Sequence, residues 1–296
     1  MIENSHPLFD YWQALKDSPS RFFNKDGMKR ASYVAMSMML AIFPFCILAL
    51  SIAVMLSVGQ ITHNFGSMDD LLHVVFGSWP DEIAQPIESE VRAVLEASGG
   101  TTATFGALLT LLLASNGFEA VRDVICEAYH ENDPHPLWQR RLLAVLFAIG
   151  GAILVTLAGI VGVLVPAYLK YASDLAPVLH LEIVKHEMIA SVVTVGFLFF
   201  GLIAVHKWLP GLKRPIKDIL PGVLLTMVLW ALGATAFDFY IQKFSNYSVT
   251  YAGLAGVMTA LIFLYLMAAV FVFGAEYNAR LGELVLQRRQ SKTPSE

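Results

Sequence analysis

Charge is scarce in this sequence: Asp, Glu, Lys and Arg make up only 15% of 296 residues, against 56% hydrophobic residues and a mean hydropathy of +0.60. An ordinary soluble domain of this length needs about a quarter of its residues charged, so that class is excluded. Cysteine is rarer still. Cys46 and Cys126 sit within or at the ends of apolar runs, where they pack as small apolar groups and form no disulfide framework. There is no P-loop, no dinucleotide fingerprint and no Gly-x-Ser-x-Gly, which removes the common nucleotide-driven and hydrolytic chemistries. Basic residues come a few per loop, so there is no cationic domain to track a nucleic-acid backbone, and no nucleic-acid partner is expected.

What is abundant is apolar sequence in long runs. Six are long enough to cross a bilayer: Ala31 to Val58, Thr101 to Cys126, Leu142 to Leu169, Met188 to His206, Ile219 to Phe244 and Gly253 to Ala279. About 20 apolar residues at about 1.5 Å rise each span a hydrocarbon core of about 30 Å. The reading is an all-α, polytopic membrane protein with six transmembrane helices and membrane lipids as its surroundings. The first run starts too late and lasts too long for a signal peptide and stays as a membrane helix. Residues 1–30 form a cytoplasmic amphipathic tail, 31–280 the transmembrane domain with an outer loop at 59–100, and 281–296 a cytoplasmic C-terminal tail.

Of the 20 lysines and arginines, all but Arg92, Lys170, Lys185 and Lys243 fall on one side of these runs. The positive-inside rule then puts both termini in the cytoplasm. In the tail, Leu8, Tyr11, Trp12 and Leu15 share a helical face, which reads as a helix along the inner membrane surface. The outer loop is acidic, and Ile83, Ile87, Val91, Val94 and Leu95 recur at helical spacing. One or two short helices are expected there, as a surface cap or as a lid.

Polar groups inside the runs are the candidate sites. Pro44 removes a helix hydrogen bond near the middle of the first span and is either a packing feature or a hinge. In the second span Asn116, Glu119, Arg122 and Asp123 occupy one arc, which cannot face lipid cheaply. The sixth ends with Glu276 and Arg280, echoing the Gly-x-Glu of the second. Either each glutamate pairs with the arginine one turn on, or the two carboxylates converge on a polar pocket open to the cytoplasm. Asp238, toward the outer end of the fifth span, either snorkels or bonds to tyrosine or backbone groups. His130 to His135 reads as a polar turn, with no second ligand cluster at metal spacing, so neither metal nor cofactor is expected and no catalytic constellation is found.

Several segments resemble one known family. Ala31-Ser32-Tyr33-Val34-Ala35 through Phe43-Pro44 is similar to its opening helix, and Pro136-Leu137-Trp138 with Arg140-Arg141 to its approach to the third span. Leu209-Pro210, Pro221-Gly222, Tyr251-Ala252-Gly253, Phe263-Leu264-Tyr265-Leu266 and Gly274-Ala275-Glu276-Tyr277-Asn278-Ala279 look like its later landmarks. This is the YihY/virulence factor BrkB family of bacterial inner-membrane proteins, and the likeness covers nearly the whole chain; His135, Ala252 and Phe263 depart from its pattern. The resemblance implies six membrane helices and an envelope location. Some members carry an older ribonuclease BN label, to which these residues lend no acid/base pair or metal site. The expected function is transport or export of an amphipathic or lipid-like envelope component through an inter-helix cavity; the alternative is a non-transporting membrane scaffold whose charged stripes bind partner helices.

Overall fold

The computed structural model describes residues 7–57, 85, 103–129, 135–175, 186–212, 214–244 and 252–292. Secondary structure among them is helical, with no strand: α1 Pro7–Asn24, α2 Gly27–Ser57, α3 Ala103–Ala128, α4 Leu137–Leu175, α5 His186–Trp208, α6 Ile216–Phe244 and α7 Ala252–Lys292. The helices expected in residues 59–100 lie outside the described residues, apart from Gln85, which is helical.

Local chemistry accounts for the breaks between helices. Asp26 adopts φ of 58°, a left-handed conformation that no helix interior tolerates, and so α1 ends and α2 begins within two residues. Pro136 and Pro215 precede α4 and α6, where their missing N–H costs nothing, and their carbonyls accept the first bonds from Gln139 and Asp218.

Among the described residues, five helices carry stretches long and apolar enough to cross a membrane: Gly27–Ala49, Leu137–Gly159, Ser191–Trp208, Ile216–Gln242 and Gly256–Arg288. The helix expected as the second span, α3, is formed but is not among the five; its uninterrupted apolar stretch stops at Asn116, and its second half carries Glu119, Arg122, Asp123 and Glu127. Large apolar side chains such as Leu40, Leu146, Val192, Phe200, Leu232 and Ile262 are exposed on these helices. Water would penalise that surface, whereas hydrocarbon does not.

The chain divides into two compact units. One comprises Met1–Met39, Gly117–Arg141 and Leu202–Glu296, the other Leu40–Asn116 and Leu142–Gly201, so that the boundaries fall inside α2, α3, α4 and α5. In the second unit Pro44 is buried within α2, whose helix continues through it to Ser57. The Thr156 hydroxyl of α4 donates to the Ala49 carbonyl of α2 (3.1 Å), a polar tie that a proline-containing membrane helix accepts from a neighbour.

In the first unit α7 packs against both α6 and α1. The α6–α7 contact is made by backbone approach: Gly222 faces Asn278 and the Gly274 carbonyl, and Gly274 faces Thr226, leaving no room for a Cβ at either glycine. Asn278 accepts from the Gly222 N–H (2.6 Å) and donates to the Ile219 carbonyl (2.8 Å), bracketing Pro221. Trp230 adds a bond from its indole N–H to the Met267 carbonyl (2.8 Å).

The tail helix does something the sequence reading did not anticipate. Its buried stripe is Asp10, Ala14, Ser18 and Phe22, with Arg21 beside it, while Phe9, Tyr11, Trp12 and Phe23 are exposed. Asp10 meets Arg288, Asp17 meets Arg280, and Arg21 meets Glu276, so α1 runs antiparallel along the end of α7. α7 itself continues to Lys292, and its Leu281 and Leu284 pack with Ala14 and Tyr277.

Candidate functional site

Ionisable side chains in the first unit gather in two clusters, both built by contacts between helices. The first centres on Glu276. Its carboxylate is wholly buried on α7 and takes Arg30 of α2 on one oxygen (2.8 Å) and Arg21 of α1 on the other (3.4 Å). Arg21 then reaches Glu283 with two parallel bonds of 2.7 and 2.9 Å, the fork geometry that only a guanidinium offers a carboxylate. Arg280 bridges Glu283 (3.1 Å) and Asp17 (2.8 Å), and Arg30 also holds Glu127 of α3 (2.8 Å). Burial works against the charge of Arg21, but hydrogen bonding and the fields of Glu283 and Glu276 more than offset it, so its pKa lies above the ordinary arginine value.

The second cluster lies where α3, α4 and the 209–215 loop meet. Arg122 is wholly buried, with one guanidinium nitrogen 3.4 Å from His135 Nδ1. Arg140 donates to the His135 carbonyl (2.8 Å), Arg214 lies over the Tyr129 ring at 4.0 Å, and Lys207 bonds the Arg214 carbonyl. His135 rests against Gly211, whose φ of +68° turns the loop and whose missing side chain leaves space for the imidazole. Gly211→Ala is expected to lower stability by about 1–3 kcal/mol, because a Cβ there both strains the backbone and displaces the ring; thermal unfolding in mild detergent measures it.

The expected site residues divide accordingly. Glu276 and Arg280 share the first cluster but are bonded to α1 and α2 partners and to Glu283, not to each other as their spacing suggested. Glu119 takes Arg141 of α4 at 2.5 Å in place of the expected Arg122. Asp123 accepts from the Tyr33 hydroxyl (3.3 Å), so Glu119, Asp123 and Glu127 form one stripe of α3 whose partners come from α2 and α4. Asn116 is half-buried and belongs to the other compact unit. Asp238 is exposed on α6 and accepts from Gln242 one turn on (2.8 Å). This partner is neither the tyrosine nor the backbone group that the sequence offered.

The residues that sequence reading missed as site members are Asp17, Arg21, Arg30, Arg141, Glu283 and His135. A signal was present for some of them. Asp10, Ala14, Asp17 and Arg21 repeat at spacings of four, three and four, and Glu276, Arg280 and Glu283 at four and three, with opposite charges in antiparallel register. Among the described residues, no group of three or more His, Cys, Asp or Glu is placed to hold a metal ion.

Comparison with known proteins gives a consistent picture. Residues 18–296 match the family model described as virulence factor BrkB. The chain is 26% identical over 282 residues to the ribonuclease-like protein YfkH of Bacillus subtilis, covering 95% of this chain and 98% of that protein. It is 27% identical over 199 residues to a UPF0761 membrane protein of Tolumonas auensis, covering 63% of this chain and 60% of the relative. A UPF0761 membrane protein of Yersinia pestis is 28% identical over 197 residues, with 64% and 62% covered. No solved structure matches the chain.

Proposed function

From the premise that this chain belongs to the virulence factor BrkB family of membrane proteins, we propose that it carries an amphipathic or lipid-like envelope component across the bacterial inner membrane along an inter-helix path. In this reading α3 is the second of six spans, both termini are cytoplasmic, and the exposed aromatic side of α1 touches the inner headgroup layer. The observation that carries it is that, among the described residues, Glu276 and Arg122, with His206, are wholly buried ionisable groups on helices that otherwise expose apolar side chains. Ionisable groups in membrane helices are expensive, face protein or water, and mark routes for polar cargo. An amphipathic cargo needs both features: charge for its headgroup and lipid-facing helices for its tail.

A scaffold reading draws on the pairing of Glu276 with Arg30 and Arg21, since a paired cluster also fixes helix positions. The ribonuclease-like name belongs to the Bacillus subtilis protein. It is not carried over here, because His135, the described histidine of the expected polar turn, is packed on Gly211 beside Arg122.

Lipid and metabolite profiling of material copurified from native membranes separates transport from scaffold. Transport requires one amphipathic species enriched with the unaltered protein and reduced several-fold with Glu119→Gln or Glu276→Gln. An extract matching bulk membrane lipid in all three preparations rejects transport in favour of the scaffold.

A further inference from the structure

We propose that Asp123, with the Tyr33 ring beside it, is the headgroup site for an amphipathic cargo whose headgroup carries an ammonium. The inference rests on the transport reading and narrows its cargo by charge.

Among the described residues of the first unit, the buried or half-buried carboxylates are Asp10, Asp17, Glu119, Asp123, Glu276 and Glu283. All but Asp123 hold an arginine. The hydrogen bond that Asp123 accepts comes instead from a neutral group, the Tyr33 hydroxyl at 3.3 Å. Its surroundings explain the difference. Glu127 and Glu119, one turn on and one turn back along α3, are matched by Arg30 of α2 and Arg141 of α4. Arg122 and Arg140 lie near enough for their fields to reach Asp123, but their guanidinium groups bond His135, and Glu119 adds a like charge from the same helix. A phenol satisfies hydrogen bonding at one carboxylate oxygen and leaves the charge without a counter-ion.

The missing partner is a cation from outside the chain, and exposure shows the side from which it comes. Tyr33 is 47% exposed on α2 even while its hydroxyl bonds Asp123, and Met36, one turn deeper into the Gly27–Ala49 stretch, is exposed as well. An open aromatic face next to a carboxylate attracts an ammonium through the ring quadrupole and the anionic charge together. A divalent metal ion is a poor match, because it takes about six oxygen ligands and one carboxylate with one phenol supplies too few. A lipid-like molecule whose ammonium reaches Asp123 lays its apolar part beside Tyr33 and Met36, on a helix that already exposes apolar side chains. The ion pairs on either side, Arg30 with Glu127 and Arg141 with Glu119, hold α2 and α4 to α3 and so fix the site between them.

Binding of defined lipids to the purified full-length chain tests the site. Equal amounts of phosphatidylethanolamine, phosphatidylcholine and phosphatidylglycerol with the same acyl chains are offered in mild detergent, and the retained lipid is read by native mass spectrometry. The expected result is retention of the two ammonium lipids over phosphatidylglycerol. Asp123→Asn, which keeps an acceptor for Tyr33 but removes the charge, is expected to lower that retention about fivefold. Asp26→Asn, at an exposed carboxylate in the α1–α2 turn, is expected to leave it unchanged. On the unaltered chain, choline chloride is expected to release the bound lipid where sodium chloride at the same ionic strength does not, and this arm decides the matter if Asp123→Asn does not yield folded protein. Equal retention of the three lipids, retention unchanged in Asp123→Asn, or release by both salts alike overturns the ammonium site. Preference for phosphatidylglycerol overturns it too but leaves transport standing, which the profiling of native membranes tests separately.

Discussion

Asn278→Leu is expected to produce the largest loss of stability of any single substitution in the α6–α7 pair. Leucine matches the branching of asparagine but is larger, so overpacking against Gly222 adds to the loss of hydrogen bonds. The asparagine side chain is wholly buried and serves two backbone groups of α6, the Gly222 N–H and the Ile219 carbonyl. Leaving a buried polar group unsatisfied costs about 1–3 kcal/mol, so about 2–5 kcal/mol is expected for both, seen as a lower unfolding temperature in detergent. Trp230, bonded across to Met267, gives a local fluorescence report of the same separation. Gly274→Ala tests the steric half of this contact, because its Cβ would collide with the Thr226 side chain, and it too should destabilise. Gly150→Ala is the counterpart: a Cβ there meets nothing within 4 Å, and helix propensity alone predicts a gain of about 0.5–1 kcal/mol. A neutral Asn278→Leu would mean that the helices are held by apolar packing alone.

The second large effect is at Glu276. Replacing it with alanine removes the carboxylate shared by Arg21 and Arg30 in a site without solvent, and breaking a buried pair costs about 3–5 kcal/mol. Because Arg30 retains Glu127 and Arg21 retains Glu283, the lower end of that range is expected. Glu276→Gln keeps one acceptor oxygen, puts an NH2 donor in place of the other and removes the charge, and should fall between alanine and the unaltered chain. A double-mutant cycle with Arg30→Gln isolates the direct pair, with a coupling of about 1–3 kcal/mol expected. Additivity of the two substitutions would show that the 2.8 Å contact contributes no stability of its own.

Much of the architecture was legible before any coordinates. Runs of apolar residues as long as Leu142 to Leu169 have one low-energy state in lipid, a helix, because every backbone N–H and carbonyl must be satisfied within the segment. The location of special residues was legible for the same reason: Glu119, Arg122, Asp123 and Glu276 stand out against an apolar background whose cost for charge is known in advance. Partner identity was not. Spacing along one helix pointed Glu276 to Arg280 and Glu119 to Arg122, but a side chain bonds what lies nearest in space. For Glu276 that is a pair of arginines some 250 residues earlier in the chain.

By itself, then, the sequence determined the membrane-protein class, the all-helical architecture and the places where polar groups interrupt the apolar runs. Each of these follows from local composition measured against a solvent of known thickness and polarity. Tertiary structure alone decided that α1 runs antiparallel along α7 with Phe22 inward and Phe9, Tyr11, Trp12 and Phe23 outward, and that Asn278 mends the backbone around Pro221. It also decided that Arg21 and Arg30 converge on one carboxylate. Those are outcomes of which helix faces meet, and the energy difference between competing pairings is set by distance, burial and geometry that no single stretch of sequence contains.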